Sequence, residues 1–437
     1  ELDRQYKNKR ILIVTHENTA WMLALGAEGG DIARGVKIKE DKDDFLKTGE
    51  WMELAFPNIP RNRDYEMDLH RPYIDEIVFD CSCGGTLRRI PEVFDCWVES
   101  GSMPFAQFHY PFENKELFEK NFPADFIAEG IDQTRGWFYS LLVLSTALFG
   151  KSPYRHVIVN GTVLAEDGQK MSKRLQNYPD PMEVVNRYGA DALRYYILSS
   201  PAVRGEDLRF SEKGVEDVHK KIIMRLQNVV SFYELYADVS STDYSLPTTH
   251  SVLDQWIVAR TNELVGEVTK AMDVYEIDRA VRPLMDFVDD LSTWYIRRSR
   301  ERFKGDDADD KRNALQTTHH VLLTFSKVAA PFMPFVAEDI YSKLITHNRQ
   351  PTTETKKSVH LEEWPKVGKV NEKILKDMKE VRHIASSGLE ARAKVGIKVR
   401  QPLSSLKIRN PKSEIRNNKE MTQIIEDEVN VKMVEFD

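Results

Sequence analysis

The sequence predicts a multidomain protein: an α/β layer with parallel strands, then an all-α helical bundle, then a small α/β C-terminal domain. Three observations carry this. From Asp68 to Leu198 short apolar strands alternate with helical segments, the pattern of a layer whose strands run parallel. After Gly205 the character changes, and residues 214–345 are helical in pattern almost throughout. From Asn371 a charged helix leads into a mixed segment, Val395 to Phe436. A chain of 437 residues has room for two to four such domains.

Residues 1–66 read as the remnant of an inserted or connective α/β segment. Within it, Arg10 to Thr15 is an apolar run suited to a buried strand, and Thr19 to Leu25 suits a helix. Residues 27–66 are polar and irregular, with Gly29, Gly30, Pro57 and Pro60 as breakers. Residues 67–205 form the α/β layer: a helix from about Gln133 to Phe149, a strand at Val157–Asn160, and helices at Pro181–Arg187 and Asp191–Leu198.

Residues 206–365 form the bundle. Ile257, Leu264, Val268 and Met272 recur at intervals of 7, 4 and 4, and Ile277, Val281, Leu284, Val288 and Leu291 at 4, 3, 4 and 3. Each series lays an apolar stripe on one helix face. Ser240–Ser251 is turn-rich and reads as a loop, Val321 to Val336 as a helical stretch interrupted by Pro331 and Pro334, and 346–360 as a polar connector. Residues 366–437 complete the chain, and no internal repeat or low-complexity tract is present.

Composition limits function. Against 62 Lys and Arg stand 69 Asp and Glu, a net charge of −7, so a nucleic-acid partner needs a local basic patch. Three cysteines exclude a disulfide framework and fit a reducing, cytoplasmic setting. The longest apolar run, Trp137 to Phe149, is interrupted by Ser140, Ser145 and Thr146 and is too short to span a bilayer, so no membrane association is expected. No signal peptide is visible. Starting at Glu1 rather than Met, the chain reads as a piece of a longer one.

The most informative motif is Lys170-Met171-Ser172-Lys173-Arg174, three cations in five residues after the turn-forming Glu166-Asp167-Gly168. A mobile loop with that charge suits a polyphosphate ligand; the alternative is a solvated basic loop. Upstream, a strand ending in Glu129-Gly130 feeds a helix at Asp132-Gln133, which is where α/β sheets bind ligands. Carboxylate and amide groups there suit ribose hydroxyls or an ammonium group. Asp132 as a helix N-cap and Trp137 as core fit the spacing equally well. In the bundle, Trp294 stands beside Arg297, Arg298, Arg300 and Arg302. By spacing alone this is a solvated face balanced by Glu301 and Asp306 to Asp310.

The pentamer closely resembles the KMSKS loop of class I aminoacyl-tRNA synthetases, which closes over ATP and stabilises the leaving pyrophosphate. The stretch Asp125 to Phe138 resembles the isoleucyl-tRNA synthetase family and differs from its valyl and leucyl relatives. Val93 to Ser102 is similar to that family's D-x-W-F-[DE]-S-G-S segment, with Val98 where Phe is usual.

The resemblance implies that Trp97 and Trp137 line an isoleucine pocket, that Glu129, Gly130, Asp132 and Gln133 hold the aminoacyl-adenylate, and that Asn160-Gly161 lies beside the adenine. Met171 and Ser172 belong to the ATP-binding loop. Lys170 and Lys173 supply catalytic charge, with no protein nucleophile required. ATP with Mg²⁺, L-isoleucine and tRNA(Ile) are the implied ligands. Trp294, Arg297, Arg298 and Arg300 are implied tRNA contacts in an anticodon-binding domain. Gly396 to Pro402 and Glu428 to Lys432 resemble the family's C-terminal junction domain.

The resemblance covers about 66–437 and matches the family's C-terminal half. The α/β layer is then the second half of a Rossmann-like class I catalytic domain. The H-I-G-H motif and the editing domain, which such enzymes need because an apolar pocket separates isoleucine from valine only about 10²-fold, are not found. The fragment alone is expected to be inactive, to need an N-terminal half, and to act as a monomer when complete. The competing function is a non-catalytic tRNA-binding module derived from a class I synthetase.

Two further motifs carry no chemistry. Cys81-Ser82-Cys83-Gly84-Gly85 resembles half a zinc knuckle but has no second cysteine pair, so a tight turn is expected and zinc is not. Arg10 to Glu17 resembles the strand-then-His segment of histidine-phosphatase-like domains without its R-H-G partner, so His16 is assigned no catalysis.

Overall fold

The computed structural model describes residues 6, 9–28, 35–37, 45–54, 62, 68–91, 96–172, 174, 177–237, 249–346, 356–409 and 414–437. The chain divides into two compact units, 1–96 and 97–437. Among the described residues no helix is long and apolar enough to cross a membrane.

In the first unit the helix Glu17–Glu28 forms as expected, three residues longer at its C-terminal end. The expected strand over Arg10 to Thr15 does not form: the segment is irregular, with Leu12 and Val14 exposed. An apolar run becomes a strand only where a partner supplies ladder bonds, and run length alone does not supply one. The strands β1 (Val78–Asp80) and β2 (Thr86–Arg88) pair antiparallel across the cysteine motif. That motif is a tight turn, closed by the Cys81 amide donating to the Gly85 carbonyl and the Gly84 amide to that of Cys81, with Gly84 at φ +82°. The Cys83 thiol lies 2.9 Å from that of Cys81, and this contact holds its pKa down.

The second unit opens with the α/β layer. Strand β3 (Ala124–Gly130) runs parallel to β4 (Tyr154–Asn160), in register from Ala124↔Tyr154 to Gly130↔Asn160. The helix Trp137–Phe149 connects them. It starts later than Gln133 because Ile131–Arg135 forms a 3₁₀ turn and Gly136, at φ −138° and ψ −117°, separates the two. Ile127, Phe138 and Leu141 form a small core between helix and strands. Strands β5 (Val163–Leu164) and β6 (Leu208–Arg209) form a second parallel pair. Between them lie the helices Pro181–Tyr188, capped by the Asp180 carboxylate on the Met182 amide, and Ala190–Leu198.

The bundle comprises the helices Met224–Tyr236, Val252–Asp273, Ile277–Asp289, Arg297–Lys304, Ala308–Ala329 and Pro334–Thr346. The predicted stripes face inward: Ile257, Leu264, Val268, Val281, Leu284, Val288 and Leu291 are wholly buried. Val321 to Val336 splits where Pro331 and Pro334 predicted. Most of the expected 240–251 loop and 346–360 connector lies outside the described residues.

One buried charge organises the bundle: Asp254 takes 2.7 and 2.8 Å bonds from Arg302, a 2.8 Å bond from the Tyr295 hydroxyl and a 2.9 Å bond from Thr249. Burial and the neighbouring carboxylate push the Tyr295 phenol far up. The layer and the bundle are bolted together. Asp191 caps the helix Pro334–Thr346 by accepting from the amides of Phe335 and Val336, and Arg194 donates to the carbonyls of Pro331 and Phe332.

The helix Glu372–Lys394, capped by Asn371 on Ile374, leads into the C-terminal domain. There β7 (Leu406–Ile408) and β8 (Val434–Phe436) pair parallel, with the helix Lys419–Val429 between them in the chain.

Candidate nucleotide site and nucleic-acid interface

The carboxyl ends of β3 and β4 place Glu129 and Gly130 beside Asn160. The Asp132 carboxylate folds close over Gly130: a Cβ there would stand 2.6 Å from it and turn that side chain aside. Asp132 is not the helix cap. It accepts from Gln133 Nε2 at 2.9 Å, and Gln133 Oε1 accepts from the Trp137 backbone amide at 2.8 Å, so Gln133 caps the helix with Asp132 behind it. Two site residues thereby fix each other and the helix start.

Trp137 is half-buried, and its indole donates to the Ser100 carbonyl at 3.1 Å. Trp97 lies against Gly136, where an added Cβ would meet its ring at 2.9 Å. Both tryptophans thus lie at the start of the helix Trp137–Phe149, with Gly136 as the point where the Trp97 ring comes closest to the backbone.

After β4, Gly161 donates to the Ala202 carbonyl at 2.7 Å. A Cβ on Gly161 would fall 1.9 Å from the Glu206 carbonyl, so only glycine admits this crossing. The Thr162 amide donates to Asp207 at 3.2 Å. Beyond β5 the chain turns at Asp167-Gly168, where Ala165 donates to Gln169 at 2.9 Å, Gly168 to Ala165 at 2.8 Å, and Asp167 accepts from the Gln169 amide at 2.9 Å. Gly168, at φ +84°, lies under the Arg209 guanidinium.

Lys170 bridges back to Leu164 and its side chain is exposed. Met171 packs on the main core, and Ser172 is half-buried. Lys173 lies outside the described residues; Arg174 is exposed. The sequence did not signal Asn177, whose side chain bonds the Lys170 carbonyl and the Ser172 amide, or Arg209, whose guanidinium lies over Gly168.

The expected tRNA contacts are divided. Arg297 donates to Glu428 at 2.6 Å, and Arg298 to Glu428 at 2.6 Å and to Asp427 at 2.9 Å. The Arg298 side chain is only 10% exposed and that of Glu428 9%. These arginines clamp the C-terminal helix Lys419–Val429 to the bundle. Trp294 is flanked by the guanidinium groups of Arg382, 5.2 Å from its ring, and Arg297, 5.9 Å away. Arg300 is exposed and makes no ion pair among the described residues. At the same seam Asp290 is pushed up by burial, against the pull of Arg382 and Arg260, which both bond it. An 890 Å³ cavity lies alongside, with Trp256, Met285 and Lys379 in its lining.

Residues 36–211 match the family of class I tRNA synthetases for Ile, Leu, Met and Val, and residues 254–408 match the anticodon-binding domain of tRNA ligases. The chain is similar to the isoleucine–tRNA ligase of Protochlamydia amoebophila, 48% identical over 84% of this chain and 36% of that protein. It is likewise 48% identical to that of Chlamydia muridarum, over 85% of this chain and 36% of the relative. The chain thus spans just over a third of the length of these curated relatives. A class I synthetase segment and a tRNA-ligase anticodon-binding domain lie in one polypeptide, and the chain is a homologue of the isoleucine–tRNA ligases.

Proposed function

We propose that the chain supplies the second half of an isoleucine-activating site: ATP and isoleucine react to isoleucyl-adenylate and pyrophosphate, and the isoleucyl group passes to tRNA(Ile). One observation carries the reading. The parallel pair β3–β4 ends at Glu129-Gly130 and Asn160-Gly161, and from there the chain passes through β5 and the turn at Asp167-Gly168 into the cationic Lys170–Arg174 segment, whose Lys170 bridges Leu164. The strand end assigned here to the nucleotide thereby leads through β5 into the segment assigned to leaving-group charge.

In this reading the isoleucine carboxylate attacks the α-phosphate in line, and the chain's residues position and stabilise. Trp97 and Trp137 line the amino-acid pocket. Glu129, Gly130, Asp132 and Gln133 hold the adenylate, with the Asp132–Gln133 bond presetting both side chains. Asn160 and Gly161 meet the adenine, and Met171 and Ser172 carry the loop. Lys170 and Lys173 stabilise charge that develops on pyrophosphate. Mg²⁺ enters with ATP as part of the substrate. Arg300 is the open cation for tRNA, with Trp294, Arg297 and Arg298 shaping that surface. An N-terminal half carrying the H-I-G-H segment completes the site.

The test is isoleucine-dependent ATP–pyrophosphate exchange by the chain alone and with an added N-terminal half from a relative. Exchange only on complementation is the expected result, and Lys173→Ala then lowers it about 10²- to 10³-fold, the usual loss of one transition-state charge contact. Absence of exchange in both cases, with tRNA binding retained, replaces this proposal with the binding-module function.

A further inference from the structure

We propose that Asn177 is a positioning residue for the cationic loop, its carboxamide stapling the loop's base. Asn177 Nδ2 donates to the Lys170 carbonyl at 3.1 Å, and Asn177 Oδ1 accepts from the Ser172 amide at 2.9 Å. One edge of this segment already faces β5, where the Gln169 carbonyl takes the Ala165 amide and Lys170 bridges Leu164. Ladder groups alternate along an extended segment. The Lys170 carbonyl and the Ser172 amide therefore point to the opposite edge, and Asn177 meets both. Its carboxamide, one donor and one acceptor side by side, takes the place of a neighbouring strand.

The consequence is mechanical. Lys170 bridges β5 on one edge and is bonded by Asn177 on the other, Ser172 is held by Asn177, and Met171 between them is seated on the main core. A cation that must meet developing phosphate charge gains from a base already in place. Asn177 touches neither substrate nor reacting atoms; it acts through the backbone of Lys170 and Ser172. The catalytic consequence rests on the function proposed above, whereas the staple itself does not.

Hydrogen exchange at the Ser172 amide, in the full chain, tests the staple. Asn177→Ala is expected to speed that exchange about fivefold to tenfold, the equivalent of one net hydrogen bond. Asn177→Asp keeps the acceptor for Ser172 and loses the donor to Lys170, so it keeps Ser172 protected. The helix Pro181–Tyr188 serves as the internal control. Unchanged Ser172 exchange in Asn177→Ala, or loss of protection through that helix as well, overturns the assignment.

In the complemented pyrophosphate-exchange assay, Asn177→Ala is expected to lower kcat about tenfold with the isoleucine KM unchanged, and Asn177→Asp to fall between. Faster Ser172 exchange with an unaltered kcat overturns the positioning role. An inactive wild-type assembly counts against the functional proposal, and the Ser172 amide then decides on Asn177 by itself.

Discussion

In the bundle, Val281, Leu284, Phe287, Val288 and Leu291 are wholly buried, whereas in the α/β layer Phe126 is 51% exposed, Tyr139 61% and Leu148 60%. The two regions meet different requirements. A helix bundle closes on itself, each apolar stripe meeting another. A parallel sheet needs cover on both faces and more than two strands. The helix Trp137–Phe149 is apolar nearly all round, yet only Phe138, Leu141 and Ser145 on it are buried. The bundle therefore holds itself together, whereas the layer leaves apolar side chains such as Tyr139 and Leu148 exposed.

Three experiments break or sharpen this contrast. The largest effect is expected in the bundle. Asp254→Ala strips Arg302 and the Tyr295 hydroxyl of their buried partner, and unfolding by urea should show a loss of about 3–5 kcal/mol. An effect under about 1 kcal/mol would mean that water replaces the carboxylate and that the bundle is looser than its burial implies.

The second effect is a pH dependence. Burial, and secondarily the neighbouring His320, hold His319 down to about 4 from an ordinary 6.5. The unfolded chain then binds the proton more readily. Stability is whole above about 6.5 and is lost as pH falls toward 4, by about 2 kcal/mol at pH 5. His320, also held down by burial, adds in the same direction. Urea midpoints at pH 7 and pH 5 measure this, and His319→Gln should flatten the slope.

The smallest effect is expected in the layer. Leu148→Ser should change the stability of the isolated chain by less than about 0.5 kcal/mol, as for an ordinary surface position. The same change should weaken capture of an added N-terminal half. A large loss in the isolated chain would show that the outward face is already covered.

Much of this was legible in the sequence. The bundle stripes were, because a period near 3.6 over long segments is hard to produce otherwise. So was the strand ending at Gly130 with a helix following it, a local signal. Arg10 to Thr15 misled, since β-branched apolar residues fit a strand only if another strand is there to pair. Asp132 could be read from spacing as a cap or as a ligand-binding carboxylate; the cap is supplied instead by the longer Gln133, which reaches the Trp137 amide. Least visible were Arg297 and Arg298. Their partners Glu428 and Asp427 lie about 130 residues away, and nothing in the local run of arginines announces carboxylates that distant.

That clamp has a practical consequence for electrostatics. Arg297 and Arg298 are masked cations, neutralised by the helix Lys419–Val429. A protein shortened ahead of Asn418 would unmask both beside Arg300 and turn a neutral seam into an adhesive for any polyanion. Retention of such a truncation on heparin or bulk RNA would measure lost shielding rather than recognition.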